Sequence, residues 1–308
     1  MITVLLLSPA LDVTYLVPSV EVGAIHRPRE VFRVPGGKGL NLARAAICIG
    51  GAVRVIAPIG GHTGADVARL AVAAGVDITS VPVAAETRTC ITVAADDDGS
   101  LTEFYEPSAA LPPDAVADFS RAVAALDDQA PGWTVLAGSV PPGVEADELV
   151  ALLRGRMEAG DRIAIDTHGQ MLAAIVAQLR PAVLKVNRLE AEELVGAVGG
   201  AIETLASSLR DLTGGTVVVT DGSAGAVAMD DSEALRVLPL EGVGRYSVGS
   251  GDSFFAGLLV ALESGAGLRS ALVDATAAGA ANAAVPGAAE FSLDTWRDIR
   301  KLVRVAAL

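Results

Sequence analysis

The sequence predicts an α/β fold: a parallel sheet with helices on both faces, and a small antiparallel sheet beside it. Through most of the chain, short apolar runs with strand character alternate with stretches of helical length, which is typical of βαβ units. Two segments, residues 12–34 and 78–106, break this alternation with short runs of alternating polar and apolar residues. A chain of 308 residues is long enough to bury a large core around such a sheet.

The predicted elements follow one another in a regular order. The strands are short and mostly apolar, and we predict them over residues 2–7, 53–58, 133–137, 162–166, 183–186 and 216–220. We predict helices over residues 39–50, 64–74, 145–159, 170–179, 188–196 and 251–263. The first helix ends at the glycine pair 50–51. An Ala-rich stretch over residues 274–289 is predicted to be a tightly packed helix that ends near Pro286-Gly287.

The two segments that break the alternation are predicted to form the small sheet together. Residues 87–93 (TRTCITV) show the period-2 pattern of a strand with one buried face. In an open α/β sheet the ligand site lies at the carboxyl ends of the strands. A small sheet at that edge would act as a lid over the site.

Composition excludes several classes of function. The formal net charge of −14 argues against nucleic acid as a partner. No apolar run approaches the ~20 residues that a membrane span needs, so no membrane association is expected. The opening residues 1–7 lack a basic start and are interpreted as a buried strand rather than a signal peptide. Cys48 and Cys90 show neither metal-ligand spacing nor a disulfide framework, which favours a reducing cytoplasm.

Positive charge is scarce in this chain, and its placement is informative. The only lysines are Lys38, Lys185 and Lys301, and the first two fall inside glycine-rich or strand-end motifs. An anionic substrate would need such a local basic pocket. The three histidines, His26, His62 and His168, are scattered and are not expected to be catalytic.

The strongest motif is residues 248–257 (VGSGDSFFAG), in which glycines precede an apolar helix with an acid in its first turn. Free N–H groups at a helix start bind anions, and glycine lets the backbone approach a phosphate closely. A carboxylate beside such an anion hole, here Asp252, could take a proton from a hydroxyl while the hole stabilises the transferring phosphoryl group. Alternatively, Asp252 only caps the helix.

The second motif is residues 35–41 (PGGKGLN), a glycine-rich turn into a helix that carries Lys38 and Asn41. It matches neither the P-loop nor the dinucleotide-binding pattern G-x-G-x-x-G, because Leu42 stands where the last glycine would be. A plain tight turn remains the alternative.

The third motif, residues 185–190 (KVNRLE), directly follows a strand. Asn187 and Glu190 are three residues apart at a helix start, so an amide and a carboxylate can face one hydrated Mg²⁺. Alternatively they form a capping box. A fourth loop, residues 137–143 (AGSVPPG), can present Ser139 to a ligand.

Taken in order, these motifs resemble the ribokinase/phosphofructokinase-B family of carbohydrate kinases over nearly the whole chain. Within that family the chain is most similar to the phosphosugar branch: the 1-phosphofructokinases, tagatose-6-phosphate kinases and minor 6-phosphofructokinases. Residues 8–12 (SPALD) resemble the branch's opening Asn-Pro-Ala-x-Asp, and residues 138–143 (GSVPPG) resemble its Gly-Ser-Leu-Pro-x-Gly. The resemblance implies one ribokinase-like domain over residues 1–308, with a lid from about 12–34 and 78–106.

The resemblance also implies a role for each matching residue. The base would be Asp252, and the anion hole would be formed by Gly249, Ser250 and Gly251. The residues that hold the sugar would be Asp12, Gly37, Lys38, Asn41 and Ser139. Arg88, with help from Arg27, would meet the phosphate of the sugar. The residues that bind ATP would be Lys185, Asn187, Glu190, Thr220, Gly222, Gly225 and Asn282. Glu190 and Asn187 would hold Mg²⁺ through water, and a homodimer would form through the lid.

The sequence departs from the branch mainly in the lid. The usual Arg-x-Asn-x-Lys is replaced by residues 88–92 (RTCIT), and the Asn-x-Pro-Gly-Pro-like turn by residues 105–109 (YEPSA). Val186 and Ser250 are milder changes, from Pro and Ala. Three functions therefore stay open: a kinase of a ketohexose phosphate, a kinase of an unphosphorylated sugar or nucleoside, and a non-catalytic sugar-binding regulator. Asp252 argues against the third, while Arg27, Arg88 and Lys38 favour the first.

Overall fold

The main sheet is parallel over most of its width. In the residues that the computed structural model describes, 1–126, 131–242 and 244–308, it has ten strands. The parallel strands, in spatial order, are β5 (Asp77–Pro82), β4 (Val53–Ile59), β1 (Ile2–Leu5), β8 (Trp133–Ala137), β9 (Arg162–Asp166), β10 (Val183–Asn187) and β11 (Thr216–Thr220). Antiparallel strands then extend it: β12 (Ala226–Met229), β13 (Ala234–Val237) and β14 (Val305–Ala307).

Helices cover both faces of this sheet. One face carries α1 (Lys38–Cys48), α2 (Gly61–Ala73), α8 (Ser250–Glu263), α9 (Leu268–Ala283) and α10 (Leu293–Arg300). The other carries α3 (Pro113–Ala124), α4 (Ala146–Glu158), α5 (Gly169–Gln178), α6 (Arg188–Val195) and α7 (Ile202–Thr213). Successive residues of a strand point to opposite faces, so Val4 enters one core and Leu5 the other. The expected doubly covered parallel sheet is confirmed.

The Ala-rich helix packs closely because its neighbour offers a glycine. A Cβ on Gly257 of α8 would stand 2.6 Å from the backbone oxygen of Asp274 in α9. Small residues therefore let the two helices approach backbone to backbone. The boundaries predicted for this helix were wrong: it begins at Leu268 and ends at Ala283, earlier than residues 274–289.

The lid is a second sheet of four strands within residues 1–126. Its order is β3 (Glu30–Gly36), β2 (Ala10–Val17), β6 (Arg88–Ala95) and β7 (Leu101–Tyr105). The two outer pairings are antiparallel, and the central pairing of β2 with β6 is parallel. The prediction that the second lid segment begins at residue 78 was wrong, because Asp77–Pro82 pairs with β4 at the edge of the main sheet.

Several elements went unpredicted, and a few boundaries moved. The helices α3, α7 and α10 and the strands β12, β13 and β14 are additional. The first strand ends at Leu5, and α2 begins at Gly61 rather than at residue 64. Among the described residues, no helix is both long and apolar enough to cross a membrane. Both cysteines are free.

Candidate active site

The predicted site residues gather at the carboxyl edge of the parallel strands. There β9 ends at Asp166 and β10 at Asn187, while α1 begins at Lys38 and α8 at Ser250. Open parallel sheets bind ligands at this edge, because strand ends, loops and helix N-termini meet there. The lid reaches the same edge through Asp12 of β2.

Asp252 is a buried carboxyl in the first turn of α8. Its residue is 8% exposed, and its Oδ2 accepts a hydrogen bond of 3.0 Å from Nδ2 of Asn41. Burial raises the pKa of Asp252, although the positive charges of Lys38 and Lys185 oppose that rise. The N-cap of α8 is Gly249, so the capping role proposed as an alternative for Asp252 is not the one it takes. A carboxyl with a raised pKa is well suited to accept a proton.

Asp166 joins the two lysines of the site, and the sequence analysis missed it. It is 1% exposed; its Oδ1 accepts from Nζ of Lys38 and its Oδ2 from Nζ of Lys185, both at 2.7 Å. Burial favours the neutral acid, but the charges of Lys185 and Lys38 outweigh it and hold the pKa of Asp166 at about 2. Burial also favours the neutral form of Lys38 and would therefore lower its pKa, but the negative charges of Asp166, Asp252 and Glu190 raise it. The position of Asp166 at a strand end was the available signal.

The start of α8 offers unpaired amides close to a lysine. Among the described residues, no acceptor contacts the amides of Gly249, Gly251 and Asp252. The amide of Ser250 donates instead to the backbone oxygen of Ser247 at 3.0 Å, so it differs from its two expected partners in the anion hole, Gly249 and Gly251. A Cβ on Gly251 would stand 3.2 Å from Nζ of Lys185, so this face of the turn looks onto the lysine. Amides and ammonium together suit a phosphate.

Glycine is required at position 249 for two reasons. Its φ of 80° lies in the left-handed region, which side chains rarely adopt. A Cβ there would also stand 2.7 Å from Cβ of Ala288. The turn before α8 is therefore held by packing as well as by its backbone conformation.

Asn282 holds the turn before α8 through several hydrogen bonds. Its side chain is completely buried, its Nδ2 donates to Val248 O at 2.8 Å and to Ser250 Oγ at 2.9 Å, and its Oδ1 accepts from the amide of Ala289 at 2.6 Å. Both ends of its amide are therefore bonded to protein, and its assignment to the ATP site stays a prediction.

Asn187 and Glu190 form the capping box considered above. The Asn187 side chain accepts from the amide of Glu190 at 2.9 Å, and Oε2 of Glu190 accepts from the amide of Asn187 at 2.8 Å. The second oxygen of Glu190, Oε1, lies 3.8 Å from Nζ of Lys38 and faces the site. Glu190 therefore caps α6 with one oxygen and turns the other toward the cluster.

Asp12 approaches the site from the lid. Its carboxyl lies where a side chain on Gly36 would stand, since a Cβ there would be 2.0 Å from Asp12 Cγ. Burial raises the pKa of Asp12 to about 6; the charge of Arg44 and a hydrogen bond from Asn41 limit the rise. Asn41 thus bonds the carboxyls of Asp12 and Asp252, while its Oδ1 accepts from Arg44 Nη2 at 3.0 Å.

Arg88 lies on the face of β6 that looks into the cleft. Residues 90, 92 and 94, on the same face, are buried against the rest of the protein. Arg88 lines a small pocket with Ser8 and Ser108, whose hydroxyls are hydrogen-bonded to each other. Its Nη1 donates to Glu106 O at 3.2 Å, and its buried Nε has no partner among the described residues.

The remaining predicted residues are distributed around this cluster. Thr220 ends β11 beside Asn187, its register partner on β10, and donates to Val186 O at 3.3 Å. Gly222 and Gly225 form the turn between β11 and β12. Ser139 is half-buried in the loop after β8, and Gly37, with φ of 85°, precedes α1. Arg27 lies on the exposed loop between β2 and β3, apart from the cluster.

Comparison with known proteins agrees with this geometry. The model of the pfkB family of carbohydrate kinases matches residues 8–296. The chain belongs to that family. It is 31% identical to a 1-phosphofructokinase of Rhodobacter capsulatus, over 88% of this chain and 86% of the relative. It is 29% identical to the ATP-dependent 6-phosphofructokinase isozyme 2 of Escherichia coli (strain K12), over 90% of each.

The fold of this pfkB kinase also matches a solved structure. A crystal structure of phosphofructokinase-2 from Escherichia coli in complex with substrates and products superposes with a TM-score of 0.91 at 28% identity. The match covers 97% of this chain and 98% of the other. The predicted family and fold are thereby confirmed, and the protein is an ATP-dependent carbohydrate kinase.

Proposed function

We propose that this kinase transfers the terminal phosphoryl group of ATP to a hydroxyl of a ketohexose phosphate: fructose 1-phosphate, fructose 6-phosphate or tagatose 6-phosphate. The hydroxyl oxygen attacks phosphorus, the bond to the bridging oxygen of ATP breaks, ADP leaves, and the hydroxyl proton passes to Asp252. The product is the sugar bisphosphate. The observation that carries this proposal is the buried Asp252 in the first turn of α8. That turn has amides without an acceptor in the described part of the chain, and it lies against Lys185 of the Lys38–Asp166–Lys185 cluster.

Each side of the cleft supports one substrate. On the main-sheet side, unpaired amides and Lys185 can neutralise charge on a transferring phosphoryl group. On the lid side, Asp12 and Asn41 can bind sugar hydroxyls, and the guanidinium of Arg88, whose Nε has no partner within the described residues, can bind a phosphate. The relatives named as 1-phosphofructokinase and 6-phosphofructokinase favour a phosphorylated sugar over a free sugar or nucleoside. One solved neighbour is described in complex with fructose-6-phosphate.

Magnesium fits this site only together with the nucleotide. Among the described residues, no group of three or more His, Cys, Asp or Glu side chains can hold a metal ion. Glu190 has one oxygen directed toward the cluster, and a single carboxylate suits a hydrated Mg²⁺ that is also bound by phosphates. When bound, the ion would neutralise charge on the phosphates of ATP. We assign Glu190, with Asn187 beside it, to the water shell of that ion.

Replacing Glu190 by Gln tests this assignment. The oxygen of Gln can still accept from the amide of Asn187, so the capping box of α6 is retained while the charge is lost. We expect a higher Mg²⁺ requirement and about a 10-fold or larger loss of activity, as for groups that orient metal-bound water. Activity titrated with Mg²⁺ at saturating substrates measures it. A titration equal to that of the wild type would leave Glu190 only its capping role.

Replacing Arg88 by Ala tests whether the sugar carries a phosphate. A charged hydrogen bond contributes ~1.5–3 kcal/mol, so KM for the preferred sugar phosphate should rise ~10-fold or more. KM for ATP should barely change, because Arg88 lies on the lid side of the cleft. Equal effects on both substrates would indicate a misfolded lid. No effect on either would favour an unphosphorylated sugar as the substrate.

We further propose that two lids pair to form a homodimer. The face of the lid opposite Asp12 carries, by its strand register, Val13, Tyr15, Ile91, Val93 and Phe104. Phe104 is 61% exposed, and an apolar sheet face of this kind is normally covered. Light scattering at micromolar concentration should give twice the chain mass of 31.1 kDa, and Phe104→Asp should give the monomer mass. A wild-type monomer would contradict the pairing.

A coupled assay of ADP release decides the substrate. The panel is fructose 1-phosphate, fructose 6-phosphate, tagatose 6-phosphate, fructose and a nucleoside, each at several concentrations with saturating ATP. A kcat/KM at least about 10-fold higher for one of the phosphates supports the proposal. Preference for fructose or the nucleoside would select the second function considered above, and no turnover with any of them would favour a binding protein.

A further inference from the structure

The turn at the tip of the lid is attached to the loop that precedes α8. Asp96 lies in the turn between β6 and β7, and Arg245 lies in the loop between β13 and α8. Nη2 of Arg245 donates to Oδ1 of Asp96 at 2.5 Å, and its Nη1 donates to the backbone oxygen of Ala95 at 3.0 Å. These contacts join two parts of the molecule that are about 150 residues apart in sequence.

From Arg245 the contacts continue to the phosphate-binding turn. The guanidinium lies 5.2 Å from the ring centroid of Tyr246, whose hydroxyl is 3.3 Å from Nη2. The backbone of Tyr246 is held at both ends: its amide donates to Ala283 O at 3.0 Å, and its oxygen accepts from Asn282 at 3.3 Å. Asn282 in turn bonds Val248 and Ser250. One connected set of contacts thus runs from the lid to the start of α8.

We propose that Arg245 is a positioning residue that couples the two substrate sites. With the lid closed over the sugar, Asp96 fixes Arg245, and Arg245 fixes the loop whose last residues carry the free amides of α8. When the lid opens, the bonds from Arg245 to Asp96 and Ala95 break, and this loop loses its outer support. Sugar binding therefore stabilises the arrangement that binds ATP. The inference rests on the proposed function, since it assigns the lid side to the sugar and α8 to the phosphates of ATP.

Coupling of this kind is reciprocal and measurable. If a bound sugar tightens ATP, then bound ATP tightens the sugar by the same factor, commonly 5–150-fold. The structure provides a matched control, because Arg29 also donates to Oδ1 of Asp96, at 3.2 Å, but lies within the lid itself. Replacing Arg29 by Ala removes a cation from the carboxylate of Asp96 but leaves the bond from Arg245 to Asp96 in place. A contiguous set of contacts becomes evidence of coupling only when perturbing it changes the factor.

The experiment measures the dissociation constant of a non-hydrolysable ATP analogue with and without the preferred sugar phosphate. For the wild type we expect the sugar phosphate to tighten the analogue about 5-fold or more. For Arg245→Ala the factor should fall to within about 2-fold of unity, while Arg29→Ala should keep the wild-type factor. Arg245→Lys, which keeps the charge opposite Asp96, should restore most of it. Adding Asp96→Asn to Arg245→Ala should lower the factor no further, because the bond between these two side chains is already lost in the single variant.

Each outcome bears on one proposal. A wild type that phosphorylates none of the sugar phosphates overturns the proposed function. A wild type that is active but shows no factor above unity overturns the coupling alone. The coupling is also overturned if Arg245→Ala keeps the wild-type factor. It is overturned as well if Arg29→Ala lowers the factor as much as Arg245→Ala does.

Discussion

The variant Asp252→Asn should lose ~10²–10⁴-fold in kcat while binding both substrates nearly as well as the wild type. An Asn at this position can still accept the hydrogen bond from Asn41, so the geometry of the first turn of α8 is kept. What is lost is a group that can take the hydroxyl proton. Steady-state kinetics measures kcat and the KM for the sugar, and titration with an ATP analogue measures nucleotide binding. Retention of more than about a tenth of wild-type kcat would show that another group is the base.

Asp12 provides the matched control for this experiment. It is also a carboxyl whose pKa is raised by burial, and it also bonds Asn41, but it lies on the lid side of the cleft. Asp12→Asn should therefore raise KM for the sugar more than it lowers kcat. If Asp12→Asn and Asp252→Asn gave the same loss of kcat, the base assignment would have no support.

The pH dependence of the wild type follows from the same pKa shifts. A general base works only when deprotonated, so the rate falls as the pH falls through its pKa. Burial raises the pKa of Asp252 above its ordinary value of 3.8, so the acid limb should lie at a higher pH than for an exposed Asp. The Asp12 carboxyl, with a pKa of about 6, should add a second loss of sugar binding near that pH. In Asp252→Asn the fall in rate that comes from protonation of Asp252 should be absent, and the loss of sugar binding that comes from Asp12 should remain.

Local patterns predicted which residues gather at one edge of the sheet better than they predicted the packing. Asp252, Lys38, Lys185 and Glu190 lie within recognisable motifs, and the fold brings them to one edge of the sheet. Asp166 has no motif around it, since its neighbours are ordinary strand and loop residues. The rule that ligands bind at the carboxyl ends of parallel strands was sufficient to nominate it.

Other errors have physical causes that a single sequence does not reveal. The strand β5 has a strand pattern that fits either sheet, and only its pairing with β4 decides between them. The helix α3 was a different case: Pro113 at its start and apolar residues at 115, 116, 119 and 123 were a readable signal.

Asp166→Asn should be the most destabilising single change in the site. Two ammonium groups share this carboxylate, and Lys185 is only 4% exposed, so the variant leaves a buried cation without its counter-charge. Removing one partner of a buried ion pair typically lowers the free energy of unfolding by about 3–5 kcal/mol. We expect a fall in the free energy of unfolding of about 3 kcal/mol, because the more exposed Lys38 retains Glu190 at 3.8 Å. Urea unfolding measures it.

Asp161 supplies the control for Asp166→Asn. It also accepts from a buried cation, Arg156 Nη2 at 2.9 Å, and bonds Thr134 at 2.6 Å, at the opposite end of β8 from the site. Asp161→Asn should lower stability without a large change in kcat, whereas Asp166→Asn should lower both. Lys38 and Lys185 would lose the carboxylate that holds both ammonium groups in the site. A normal kcat for Asp166→Asn would show that Asp166 forms only a structural ion pair.

The effect of acid on the wild type gives an independent test of the same carboxylate. The folded-state pKa of Asp166, about 2, lies below its unfolded value of about 3.9, so its contribution to stability is fully present above the unfolded pKa. That contribution is lost as the pH falls from about 4 through 2, and for a shift of this size it is roughly 2–3 kcal/mol. Asp166→Asn should abolish this part of the acid dependence. If the difference in unfolding free energy between wild type and Asp166→Asn stays constant from pH 5 to about pH 2, the ion-pair account of Asp166 is wrong.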